Sequence, residues 1–198
     1  MRALLPALVP LLVPLSASAA FHLWDITEVY SNPDGSVQFI ELEMCATVPT
    51  CNGENLMTGH TLTSNTESYT VPSNLPSTTA GHHLLFATPA FASQPGAVPP
   101  DYTLDPLSPP GTPFMSLVAD TINWAGVDVF TYNVDELPTD GYYSLNESFG
   151  LNDRTTAPNS PTNFAGQVGP EPSQWLAQFA GAATVFGLAR RSGRSLRR

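Results

Sequence analysis

Lysine is absent from this chain of 198 residues, and its seven basic residues are all arginines. Six of them lie in the end segments, at Arg2, Arg190, Arg191, Arg194, Arg197 and Arg198, which leaves Arg154 alone against sixteen acidic residues between positions 21 and 169. That stretch carries a net charge of about -15. A surface so poor in cations cannot neutralise a row of phosphates or anionic headgroups, so nucleic acid is excluded as a partner of this region. The acidity reads first as a solubility device.

Other scarcities exclude chemistries. There are only two cysteines, Cys45 and Cys51, with no C-x-x-C and no adjacent histidine, which argues against a thiol redox centre or a zinc site. Their C-x5-C spacing directly after strand-like sequence predicts a disulfide closing a small loop in an exported protein. No G-x-S-x-G marks a nucleophile, and no D-x-[DN]-x-[DN]-G loop marks a calcium site. Long helices are disfavoured by 20 prolines and 14 glycines spread between short apolar runs, a pattern that predicts an all-β domain.

The two ends carry processing signals. Met1-Arg2, an apolar run from Ala3 to Leu15 and the small residues Ser16 to Ala20 follow the order of a secretory signal peptide, with cleavage after Ala19 or Ala20. The run is too short to span a bilayer, which needs roughly 20 apolar residues, and Pro6, Pro10 and Pro14 interrupt it. At the other end Pro170-Glu171-Pro172 precedes an uncharged stretch, 173–189, and an arginine cluster over 190–198 that begins with Arg190 and Arg191. The prolines hold the motif extended beside an apolar helix, and the arginines keep the far end cytoplasmic. With Gln174 and Gln178 inside it, the helix is marginal as a permanent span and suits a transient stop in the inner membrane.

These three parts in order resemble the PEP-CTERM sorting signal of Gram-negative bacteria. The resemblance implies recognition at Pro170, Glu171 and Pro172 by a membrane cysteine protease-transpeptidase of the exosortase type, and release or attachment of the domain at the cell surface or in extracellular polysaccharide. A retained C-terminal anchor is the alternative.

Between the signals, residues 21–169 form one acidic domain. Two β-rich runs within 21–44 flank Asn32-Pro33-Asp34-Gly35, a turn in which Pro fixes φ and Gly accepts φ > 0, so a β-hairpin is predicted. Neither parity of the first run is purely apolar, so that strand is expected to be partly covered on both faces. Gly81 to Thr88 and Asp120 to Tyr132 read as strands, the latter as two about Ala125-Gly126, and Tyr142 to Leu145 as another. Residues 89–113 hold eight prolines and are expected as a long loop with neither helix nor central strand. Ile26 to Tyr30, the turn, Phe39-Ile40-Glu41-Leu42 and Thr58-Gly59-His60-Thr61-Leu62 resemble the opening of the lamin-tail domain. That resemblance implies an immunoglobulin-like antiparallel β-sandwich acting as a scaffold rather than a catalyst. The segment 137–166 is similar to secreted bacterial proteins of unknown function bearing the same sorting signal.

Candidate site residues are few. His82 and His83 would point to opposite faces of a strand, so one metal cannot easily take both. Asp34, Asp128, Asp135, Glu136 and Asp140 sit near turns, where solvated carboxylates are the expectation and calcium ligation the rival. Trp24, Trp124, Tyr142 and Tyr143 are of a type that stacks on sugars but more often packs a core. No catalytic, cofactor or metal residue is assigned. The expectation is a non-catalytic, exported structural or adhesive component of the envelope or exopolysaccharide, with signal peptidase and the sorting protease as partners. A glycan- or Ca-binding adhesion module and a secreted hydrolase are the alternatives.

Overall fold

The computed structural model describes residues 21–105 and 112–169. The expected signal peptide (1–20), the sorting motif Pro170, Glu171 and Pro172, the apolar segment 173–189, the arginine cluster with Arg190 and Arg191, and residues 106–111 lie outside the described residues.

The expected hairpin forms as β1 (Trp24–Ser31) and β2 (Gln38–Met44), paired antiparallel across a turn in which Gly35 takes φ 74°. A β-bulge between Ile26 and Glu28 resets the side-chain parity of β1. Trp24 and Ile26 before it and Val29 after it therefore all enter the same core, while Glu28 and Tyr30 turn to the other face. That shift is why neither parity of the first run reads as apolar in sequence.

Eight further strands follow: β3 (Thr61–Thr63), β4 (Ser68–Thr70), β5 (His83–Ala87), β6 (Tyr102–Thr103), β7 (Asp120–Trp124), β8 (Asp128–Tyr132), β9 (Tyr143–Asn146) and β10 (Thr155–Pro158). They assemble into a six-stranded sheet in the order β10-β9-β1-β2-β5-β6 and a four-stranded sheet in the order β4-β3-β7-β8. Ile40, Leu42, Leu84 and Phe86 of the first sheet share one buried cluster with Leu62, Ile122, Trp124 and Phe130 of the second. Phe86 and Trp124 meet across it with ring centroids 5.9 Å apart. Strands β7 and β8 turn at Ala125-Gly126, both at positive φ, as the sequence predicts.

Two expectations are corrected. The proline-rich stretch 89–113 is not without regular structure: Thr88 caps one helical turn, α1 (Pro89–Ala92), and β6 adds to the sheet edge. Proline suits the first helical position, where its missing N–H has no partner to lose. Asp101 to Leu104 is a proline-free interval in which Tyr102 and Leu104 bury their side chains. The sheet is also mixed rather than wholly antiparallel, because β6 returns after α1 to lie parallel to β5. Phe91 of α1 packs with Tyr30, Val37, Phe39, Leu85 and Val98 into a second, smaller core on the outer face of the six-stranded sheet.

The predicted disulfide joins Cys45 to Cys51 with Cα atoms 5.6 Å apart, and the Cys51 amide donates to the Thr47 carbonyl within the loop. Among the described residues no helix is long and apolar enough to cross a membrane.

Candidate functional site: a carboxylate row under the C-terminal strap

Sheet parity sets Glu28 of β1 and Glu41 of β2 directly opposite each other on the outer face, and His83 of β5, in register with Glu43, reaches Glu41 diagonally. An outer sheet face is ordinarily solvated. Here Glu28 is 3% exposed and Glu41 4%, because the segment after β10 folds back over them.

That segment, residues 159–169, is a strap that crosses the strands in their spatial order over 159–164 and then turns back on itself, with Thr162 bridged to Val168. The Asn159 amide donates to the Tyr142 carbonyl beside β9 at 3.0 Å. The Ser160 amide donates to Oε1 of Glu28 at 2.9 Å, the Thr162 amide donates to Oε2 of Glu41, and the Phe164 amide donates to Oδ2 of Asp101 at 2.9 Å. Every second N–H thus finds a carboxylate. Two residues of extended chain advance roughly 6.6 Å and neighbouring strands lie roughly 4.8 Å apart, so a chain laid obliquely meets a new strand at about that interval. The far end is held by Phe164, whose ring stacks on His82 at 4.4 Å and whose carbonyl lies 2.8 Å from His82 Nδ1. Asn163 donates to the Pro99 carbonyl, and the strap closes on itself where the Gly169 amide donates to the Pro161 carbonyl at 2.8 Å.

The electrostatics follow from the burial. Desolvation, then the neighbouring Glu41 charge, pushes Glu28 up to about 7, against hydrogen bonds from Ser144 at 2.6 Å and from Ser160. Glu41 is raised by burial in spite of the His83 imidazole 2.7 Å from its Oε1. His83 is raised in turn, first by its hydrogen bond to Glu41. Burial also raises Asp101, against the amides of Leu85 and Phe164. Two carboxyls therefore sit close together under the strap's backbone, with the partly exposed imidazole of His83 at their edge, and all three have proton affinities brought towards neutrality.

A second group of acids lines a recess of about 170 Å³ formed by Asp25, Asp128, Glu147 and the loop 148–152. Each is already engaged: Asp25 accepts from the Gly150 amide, Asp128 from the Ile26 amide, and Glu147 pairs with Arg154 at 3.2 Å. Arg154 also lies 4.9 Å over the Phe130 ring. Among the described residues no group of three or more His, Cys, Asp or Glu is placed to hold a metal ion.

The other residues singled out in the sequence are dispersed. Asp34, Glu136 and Asp140 accept backbone N–H groups of Ser36, Asn133, and Tyr142 with Tyr143, as turn carboxylates do. Asp128 is not a turn ligand but an anchor for β1, and Asp135 sits at φ 67°. His82 and His83 serve different partners, as their adjacency implies. Trp24 and Trp124 are core residues, with their indole N–H groups on the carbonyls of Glu54 and Phe21, so neither offers a face to a ligand. Tyr143 is 40% exposed and meets Tyr142 edge-on. Sequence reasoning missed Glu28, Glu41 and Asp101 as a set. The one available signal was a glutamate on each of two paired apolar strands.

No family model, no curated protein and no solved structure matches this chain.

Proposed function

We propose that this is a non-catalytic, exported surface or extracellular-matrix protein, sorted through its C-terminal segment by an exosortase-type protease and serving a structural or adhesive role in the envelope or its polysaccharide. The fold is assigned within that reading to the immunoglobulin-like, lamin-tail type of β-sandwich. The observation that carries the reading is the order of Pro170-Glu171-Pro172, the uncharged stretch 173–189 and the arginine cluster 190–198. The Gly169 amide, one residue before Pro170, is bonded to the Pro161 carbonyl, so hydrogen-bonded backbone runs up to the start of the Pro-Glu-Pro strip. Two further features support it. The Cys45–Cys51 disulfide suits an oxidising compartment. The most deeply buried carboxylates are bonded to the protein's own backbone or hydroxyls rather than aimed into a cleft, which fits a scaffold better than a hydrolase.

The test is mass spectrometry of the surface-extracted protein from a Gram-negative host carrying such a protease, beside a Glu171→Ala variant. A native chain that ends near Pro170, with the variant retaining the tail, is expected. A native surface form that still carries Arg198 would refute the processing step.

A further inference from the structure

We propose that the strap over 159–169 is a latch, seated in mildly acidic solution and lifting from the sheet as the pH rises through neutrality, so that the outer carboxylates are uncovered and the backbone leading to Pro170 is freed. The inference is a property of the folded domain and holds whether or not the tail is processed.

The geometry points to the strap as a unit that opens alone. Beyond the Asn159 amide, which continues the pairing with β9, its main-chain bonds across the sheet go to side chains rather than into a β-ladder. The amides of Ser160, Thr162 and Phe164 depend on Glu28, Glu41 and Asp101, whereas β1, β2 and β5 are tied to one another by continuous pairing. Segments held by few bonds open at lower free energy than the sheet beneath them.

The direction with pH comes from what faces the row on every side. Glu28 looks onto Glu41 of β2, Ser144 of β9 and Ser160 of the strap. Glu41 looks onto His83 of β5 and Glu43 of its own strand, and the strap's far end lies between Asp101 and His82. No arginine or lysine bonds to any of them, since the only arginine of residues 21–169 pairs with Glu147. In the acidic form a protonated Glu28 can donate to Ser144 Oγ, which can pass its own hydrogen to the Ala157 carbonyl at 3.3 Å, while the imidazolium of His83 neutralises Glu41. In the alkaline form the strap covers two facing carboxylates, and the imidazole at their edge is neutral. His83 is raised by its bond to Glu41, which does not involve the strap. Burial, to which the strap contributes, displaces Glu28, Glu41 and Asp101 upward in spite of the strap's own amide bonds, so their protonation favours the seated strap. Lifting the strap rehydrates them and lets the protons go.

The experiment is amide hydrogen exchange on the full chain between about pH 5 and about pH 8, with rates corrected for intrinsic exchange. At every pH the amides of Ser160, Thr162 and Phe164 should be less protected than those of Ile40 and Leu42 in β2. Their protection should fall by up to about tenfold per pH unit as far as about pH 7 and level off above it. Glu28→Gln, which keeps the shape but cannot ionise, should cut the total loss by about tenfold or more while the gap to β2 remains. Strap amides that exchange together with β2 would overturn the latch, as would protection that ignores pH, or a variant that keeps the full fall. If the variant does not fold, the native pH series decides the matter alone.

Discussion

Replacing Gly35 by alanine tests whether the proline-rich segment is docked where the fold requires it. Gly35 closes the β1–β2 turn at φ 74°, and a Cβ built there lies 2.6 Å from Cγ of Pro113 and 3.0 Å from its Cβ, with Leu117 Cδ2 at 3.4 Å. Two costs add. Holding alanine in the left-handed region costs about 1 kcal/mol. Forcing a methyl into an occupied contact costs about 1–3 kcal/mol more. The sum is roughly 3 kcal/mol, which for a domain of this size lowers Tm by about 6–12 °C. Gly59→Ala is the control, since φ is 85° there and nothing lies within 4 Å of the new Cβ, so only the backbone cost of about 1 kcal/mol applies. Urea unfolding of both variants, with Pro113→Gly in each background, completes a double-mutant cycle. Coupling of at least about 1 kcal/mol is expected between Gly35→Ala and Pro113→Gly, and none with Gly59→Ala. Equal losses in the two alanine variants would mean that Pro113 does not rest on the hairpin turn.

Three further outcomes are expected. Cys45→Ser should lower stability by about 2 kcal/mol, the closure entropy of so short a loop, as read by thermal unfolding without reductant. Phe164→Ala removes the ring stacked on His82 and should raise proteolytic cutting within 159–169 while leaving the sheet's circular dichroism unchanged. Global stability should decline as pH rises from about 4.5 towards about 7, because the folded state keeps a proton on Glu28 that the unfolded chain releases above its ordinary value. The Glu28 contribution is about 3 kcal/mol at most, and urea titrations of Glu28→Gln should show that part of the slope gone.

What the sequence made legible depended on whether a side chain or a main-chain group did the work. The β1–β2 hairpin, the two strands about Ala125-Gly126 and the Cys45–Cys51 bridge were readable because turn residues, apolar parity and cysteine spacing are side-chain signals. Strand β10 was not readable, since Thr155–Pro158 has one half-buried residue and is held by main-chain pairing to β9. Strand β6 was hidden by the prolines around it, and only the five-residue gap between Pro100 and Pro106 betrays it. The bulge at Thr27 defeated parity counting in β1, because a single inserted residue exchanges the two faces. The Glu28, Glu41 and Asp101 row was illegible for a different reason. Its partners come from a strap more than sixty residues away from any of them, and nothing local marks a backbone N–H as a donor.

The acidity first reads as a solubility device, and the structure gives much of it a second role. Of the sixteen carboxylates in residues 21–169, eleven accept at least one main-chain N–H: Asp25, Glu28, Asp34, Glu41, Glu54, Asp101, Asp120, Asp128, Glu136, Asp140 and Asp153. Such charge-assisted bonds are stronger than neutral ones and need no cation. They also meet a need particular to this fold, in which strands of two to eight residues alternate with long loops whose N–H groups lack a ladder partner. Asp120 alone takes the amides of Asn65, Ser116 and Thr121, fixing three stretches of backbone at one point. A lysine-free domain can therefore be strongly acidic and still well tied, because its anions are matched by backbone dipoles instead of by opposite charges. Where that matching occurs in solvent, as at Asp34, Glu136 and Asp153, the carboxyl is drawn below its usual range by its hydrogen bonds. Where it is buried beneath the strap, desolvation outweighs the same bonds and the shift reverses. One kind of contact thus ties loops at the rim and the strap over the sheet, and at Glu28 burial together with the facing Glu41 charge turns the shift upward.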